Sequence, residues 1–369
     1  MKKRATIRRI LRRTAAAVAA ITIAAAVCPA LSRGTFGYRV AVAVGSLRQP
    51  AAAVGLLTES LFPAPQTVTP PAALAPTGDP LYDSTQVDVP VAAPVADTPP
   101  ITMIPPPGNA GDGGTVITKK MDTGNRLQNG VATVNRSGTL VDVSAALGRD
   151  LPFRWEDTDA PQVLILHTHT TEAYMTYDGG YYNAADRHRT TDHTKNVCAV
   201  GEAVRMALAA AGITAIHDTT LHDSPIYSGA YNRSAVTAQA YLEQYPTIKV
   251  VLDLHRDAVM EGSGTLVKPT ATVEGRSVAQ MMLITGVVST TALPHPLWQD
   301  NLTFATRLQQ ALDGVSPDLM RPINTVASRY NQHLSPGWVL VEVGSEGNTV
   351  EEAVYAGQIL GRTLAALAH

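Results

Sequence analysis

At 369 residues and a formal net charge of −2, the chain has no basic excess suited to nucleic acid and no acidic tract to act as a solvating tail. Two cysteines, Cys28 and Cys198, exclude a disulfide framework and read as buried small hydrophobes. Hydrophobic residues reach 45% but aromatics only 5%, so the core is expected to be aliphatic and rich in small residues.

The N-terminus carries an address. Lys2, Lys3, Arg4, Arg8, Arg9, Arg12 and Arg13 precede an uncharged run from Thr14 to Leu31, and Arg33 alone follows closely. That asymmetry predicts an N-terminus in the cytoplasm and everything after Leu31 outside it. Residues 1–35 are therefore read as a basic cytoplasmic tail and a membrane anchor. A signal peptide cut after Ala30 is the alternative. The anchor is preferred, giving a single-pass cell-membrane protein with its catalytic part extracytoplasmic; export follows from both readings. Residues 36–112 form a membrane-proximal segment and a Pro-rich linker: 13 of the 25 prolines lie between Pro63 and Pro107. Proline at that density removes backbone donors and favours extended geometry, so the segment is expected to be a semi-rigid tether.

Residues 113–369 are expected to fold as one domain. The run Val163 to Leu166 is short and continuously apolar, as a strand buried on both faces should be. Asn196 to Ala211 has apolar residues at helical spacing, with Gly212 as its stop. Strands are predicted over Thr214 to His217, Ile248 to Leu254, Met281 to Gly286 and Trp338 to Val343. Helices are predicted over Ser234 to Gln244, Asn301 to Leu312 and Val350 to Leu367. Alternation of this kind implies an α/β fold whose central sheet is mostly parallel and flanked by helices.

Functional residues of such sheets gather where strands end. Three polar clusters are expected there: His167-Thr168-His169-Thr170-Thr171-Glu172, Asp253-Leu254-His255-Arg256-Asp257, and Glu342 through Asn348. Zinc in a catalytic site takes three imidazole or carboxylate ligands and keeps one position open. His169 and Glu172 supply two from one segment, and His255 completes the set. Glu342 is then free to take a proton from the attacking water and return it to the leaving amine. In extended chain His167 and His169 point to the same side, so either could be the first ligand. His169 is preferred for its spacing to Glu172, leaving His167 as a substrate contact. Asp253 and Asp257 flank His255 and are placed to orient it. Arg256 suits either a structural ion pair or a substrate carboxylate. His188, His193, His222, His295, His333 and His369 are read as structural. So is His217, although the pair His217-Asp218 is a candidate to support a metal ligand from behind or to touch substrate.

The segments VLILHTHTTEAYM, NVCAVGEAVRMAL, YNRSA, VVLDLHRDAV and VEVGSEGNTVEEA, with His217-Asp218, resemble the stage II sporulation protein P family over about Val163 to the C-terminus. The resemblance implies an N-acetylmuramoyl-L-alanine amidase with added endopeptidase activity that acts on peptidoglycan during forespore engulfment. It implies a fold similar to zinc cell-wall amidases, with Zn2+ on His169 (or His167), Glu172 and His255. Glu342 becomes the catalytic acid/base, and Asn348 falls where those amidases keep an Asn after it. Stage II sporulation proteins D and M are the implied partners. A zinc endopeptidase acting on stem peptides and a non-catalytic wall-binding scaffold are the competing readings.

Overall fold

The structure, a computed structural model, describes residues 101, 103–106, 113–122, 131–184, 186, 188–287 and 294–368. The expected anchor and nearly all of the Pro-rich linker lie outside them, as does His369. No helix among the described residues is long and apolar enough to cross a membrane.

Strands and helices alternate. In chain order they are β1 (Gly114–Lys119), β2 (Thr133–Asn135), α1 (Val143–Leu147), β3 (Val163–Leu166), β4 (Tyr181–Tyr182), α2 (Val197–Ala210), β5 (Ala215–His217) and α3 (Ala230–Gln244). There follow β6 (Val250–Asp257), β7 (Thr265–Val273), β8 (Arg276–Ala279), β9 (Met281–Gly286), α4 (Trp298–Val315), β10 (Ile323–Val326), β11 (Trp338–Ser345) and α5 (Val350–Ala366).

Seven strands form the central sheet in the order β2-β10-β9-β11-β6-β3-β5. All its neighbours pair in parallel except β11 with β9, so the mostly parallel sheet expected from the alternation is present with one reversal. A second sheet, β4-β1-β7-β8, was not anticipated.

Period-2 alternation sorts the central strands onto two faces. Val163, Ile165, Val250, Leu252, Leu254, Val339, Val341 and Val343 pack with α2, α4 and α5. Leu164, Leu166, Val251 and Trp338 pack on the other face with Ala238 of α3. By the same alternation Asp253, His255 and Glu342 belong to the α3 face. The side chain of Asn196 caps α2 by accepting from the Cys198 N–H at 2.9 Å, and Gly212 (φ +79°) turns the chain after the helix, as expected of a glycine there. Thr349 and Glu352 close a capping box that starts α5 just beyond β11.

Candidate active site

The chain leaving β3 does not stay extended. Its threonines lock a turn: Thr168 donates from N and Oγ1 to the two Asp253 oxygens at 2.8 and 2.7 Å. Thr170 Oγ1 lies 2.9 Å from the His167 carbonyl and 2.6 Å from that of Thr220. Thr171 donates from N and Oγ1 to Asp223 at 3.1 and 2.7 Å. The turn corrects the expectation that His167 and His169 share a side. His167 continues the alternation of β3 onto the α2 face, with Nδ1 3.0 Å from the Leu254 carbonyl and Nε2 2.9 Å from His217 Nε2. His169 is swung onto the α3 face, where its ring lies edge-on to His255 with centroids 5.3 Å apart.

His169, Glu172 and His255 form one buried group beside Glu342, which is half-buried with its Oε2 enclosed. Glu172 Oε2 lies 3.4 Å from His255 Nδ1 and accepts from the Arg256 backbone N–H at 3.1 Å. Glu342 is the register partner of His255 on the neighbouring strand. The two residues sit within β11 and β6 rather than beyond their ends, because β6 runs through the polar His255-Arg256-Asp257 stretch. Asp253, two residues before His255 on the same face, brings Oδ1 to 2.9 Å from His255 Nε2, an ion-pair distance without an aligned hydrogen bond.

Burial works against a charged His255, but the carboxylates of Asp253 and then Glu172 outweigh it and hold the imidazole well above its usual value. Burial would raise Glu172; contact with His255, followed by Arg256, reverses the sign and lowers it. Burial pushes Glu342 up to about 8, with His255 opposing and Glu172 and Asp257 adding to the rise. Two carboxyls one strand apart are thus driven in opposite directions, which is how a site separates a charge-holding group from a proton-carrying one.

His169 Nδ1 and Glu342 Oε2 are buried with no hydrogen-bond partner among the described residues, while His255 Nε2 meets the Asp253 carboxylate only as an ion pair. Native structures rarely leave buried polar atoms in that state. Two imidazoles and a carboxylate grouped around such atoms are a donor set that zinc accepts, so the residues present fit the ion.

The other residues singled out from the sequence have different duties. The Arg256 guanidinium is buried and turned to backbone, donating to the carbonyls of Ala173 at 3.1 Å and His188 at 2.6 Å, with Glu346 at 3.6 Å. Asp257 pairs with Arg321 at 2.8 Å, leaving Asp253 as the carboxylate against His255. Asn348 accepts from the Ser345 N–H at 2.9 Å and donates to the Pro269 carbonyl and to Glu352, so it ties the loop after β11 to α5.

Four residues of the site escaped sequence reading. Tyr227 stacks on His169 with centroids 4.5 Å apart, its hydroxyl 3.1 Å from Nε2. Tyr231 stands edge-on to His169 and parallel to His255. Arg189 reaches Glu172 at 3.6 Å, covers the Tyr227 ring and pairs with Asp223. The density of Tyr, Asp and Arg between His222 and Arg233 was the available signal, but nothing in its spacing says that it folds over His169.

A family model described as Stage II sporulation protein P matches residues 109–365. No curated protein matches the chain. Among solved structures it is similar to the CwlD amidase of Clostridioides difficile, in complex with the GerS lipoprotein, at 14% identity and a TM-score of 0.36, over 56% of this chain and 96% of that one. It is also similar to the apo N-acetylmuramyl-L-alanine amidase Ami1 of Mycobacterium abscessus, at 15% identity and a TM-score of 0.35, over 56% and 99% of the two chains. The catalytic domain of CwlV, an N-acetylmuramoyl-L-alanine amidase of Bacillus (Paenibacillus) polymyxa, shares 11% identity at a TM-score of 0.32, over 55% and 96%.

Proposed function

The chain belongs to the stage II sporulation protein P family, and we propose that it is a zinc-dependent N-acetylmuramoyl-L-alanine amidase of peptidoglycan. The observation carrying this reading is the buried group of His169, Glu172 and His255 beside Glu342, with His169 Nδ1 and Glu342 Oε2 left without hydrogen-bond partners. His169, Glu172 and His255 would hold the ion. When bound, zinc supplies Lewis acidity toward an amide carbonyl and lowers the pKa of water. The chain's own residues do the rest. Asp253 holds His255 in place while fixing the turn that carries His169. Glu342, once ionised, accepts a proton from the attacking water, its raised pKa making that carboxylate a stronger base, and delivers the proton to the departing amide nitrogen. Tyr227, stacked on His169 and covered by Arg189, is still 55% exposed, so the edge of the group is reachable by a polymer too large to enter a closed pocket. We further propose that residues 1–35 anchor the chain with its catalytic part outside the membrane, and that it acts in forespore engulfment alongside stage II sporulation proteins D and M.

Digestion of purified peptidoglycan tests the reaction. Amidase action releases intact stem peptides and leaves bare glycan. Stems shortened but still joined to muramic acid would mean endopeptidase action instead. Unchanged wall, with activity absent before and after zinc is added back to chelated protein, would leave a binding scaffold.

A further inference from the structure

On the opposite face of the sheet lies a second cluster that the proposed chemistry does not use. His167 at the end of β3, His217 at the end of β5 and Cys198 in the first turn of α2 each bring a ligand atom to within 4.8 Å of the others. His167 and Cys198 are 0% and 2% exposed, and the His217 side chain is 6% exposed. Gly201, one turn along α2, makes the space: a Cβ there would stand 2.4 Å from His217 Nε2 and 2.8 Å from His167 Nε2.

The protons of the two imidazoles do not balance without a cation. His167 Nδ1 faces the Leu254 carbonyl at 3.0 Å and His217 Nδ1 faces Glu202 Oε2 at 3.4 Å. Both are groups that only accept, since Arg205 holds the Glu202 carboxylate ionised. Each Nδ1 must therefore carry its ring's hydrogen, leaving a lone pair on each Nε2. Those lone pairs point at one another across 2.9 Å. Such a contact is repulsive unless a proton or a metal ion lies between them. A carbonyl and a carboxylate behind the two rings are the outer partners that metal-bound histidines use, fixing tautomer and orientation. A sulfur at the same spot is a third, softer ligand; burial, then Asp218 and Asp223, push its thiol up to about 12, so a metal has to displace the proton.

We propose that His167, Cys198 and His217 supply three ligands of a second metal site that takes zinc or a metal of similar softness. Binding converts the Cys198 thiol to thiolate, and the displaced proton leaves to solvent. Tetrahedral zinc at about 2.0 Å from each nitrogen sets them about 3.3 Å apart, so the rings need to part by only a few tenths of an ångström. The site staples β3, β5 and α2 at the root of the turn that presents His169. It shares no residue with the group proposed for catalysis and stands or falls without it.

Cobalt reports thiolate ligation directly, through a sulfur-to-metal charge-transfer band in the near ultraviolet. The full-length chain carrying C28S, in which Cys198 is the remaining thiol, is stripped of metal and titrated with Co2+. The expected result is a saturable thiolate band that falls to less than a tenth on adding C198S and is retained on adding H255Q. Where C198S does not fold, H217Q takes its place and should weaken cobalt binding in the thiolate band at least tenfold. Absence of the band from the C28S chain, or its persistence in C198S, would overturn the second site. Loss of the other cobalt equivalent in H255Q, with the band intact, bears on the catalytic group alone.

Discussion

Glu342 and Asp253 are both carboxyls of the central strands, the first half-buried and the second fully buried, and they answer to opposite tests. E342Q keeps the shape of the side chain and removes its proton-carrying capacity. Zinc content should stay unchanged while turnover of peptidoglycan falls about 10²- to 10⁴-fold, the usual worth of a positioned acid/base. Metal analysis alongside dye release from labelled wall reads both quantities, and a fall of less than about tenfold would remove Glu342 from the chemistry. Asp253 instead accepts from Thr168 N and Oγ1 and lies 2.9 Å from His255 Nε2, all three residues being buried. D253A strands the two Thr168 donors, and leaving buried donors unpaired costs about 1–3 kcal/mol each. The expected sign is a lower urea midpoint with an unchanged m-value. The residues of the group were legible in the sequence as a set of His and Glu near strand ends. Their directions were not. His167 and His169 part company because Asp253 and Asp223, 85 and 52 residues along the chain from Thr168 and Thr171, fold the intervening threonines into a turn.

At the scale of elements, the strands that could be read were β3, β5, β6, β9 and β11, where apolar residues dominate because the central sheet is covered on both faces. β7 was hidden by Lys268 and Pro269 in TLVKPTATV, since a buried lysine makes sense only once Asp178 at 2.9 Å and Glu352 at 3.0 Å are known to meet it. The unread second sheet follows from that blind spot. The helices α2 and α5 were both legible from their periodicity, but not their closeness. They pack through glycine: a Cβ on Gly361 would lie 2.7 Å from Ala207 Cβ and 2.8 Å from the Val204 carbonyl, neither of which is a flexible side-chain tip. Replacing Gly by Ala in a helix interior normally gains up to about 1 kcal/mol. Overpacking a tight contact costs about 1–3 kcal/mol. Here the second effect should win. G361A is expected to lower stability by about 1–2 kcal/mol in urea titration, and a stabilised variant would mean that the helices can slide apart freely.

Across the whole molecule, acid should loosen the fold in a way that one histidine pair makes measurable. His295 and His333 are held down to about 4, His295 by burial, then by His333 and Arg329, and His333 by burial and then Arg329. Their rings stand edge to face, 6.5 Å apart, with both His295 nitrogens and His333 Nδ1 lacking a hydrogen-bond partner among the described residues. In the unfolded chain both return to about 6.5. Between those values the unfolded chain binds protons that the folded one refuses, so stability falls as pH drops from about 6.5 toward 4. At 1.36 kcal/mol per pKa unit, discounted because His333 is only half-buried, the pair accounts for about 3 kcal/mol of that loss. Glu342 acts in the opposite sense: its folded value of about 8 lies above its unfolded one, so its contribution is present in acid and is lost as pH rises through 8. A single acid titration of the wild type therefore mixes the two. The histidine share is the difference between wild type and H295Q/H333Q, whose urea midpoints should diverge by pH 7 and converge as pH falls toward 4.5, the variant losing less on acidification. Parallel curves across that range would show that the pair is already protonated, or already solvated, in the native fold.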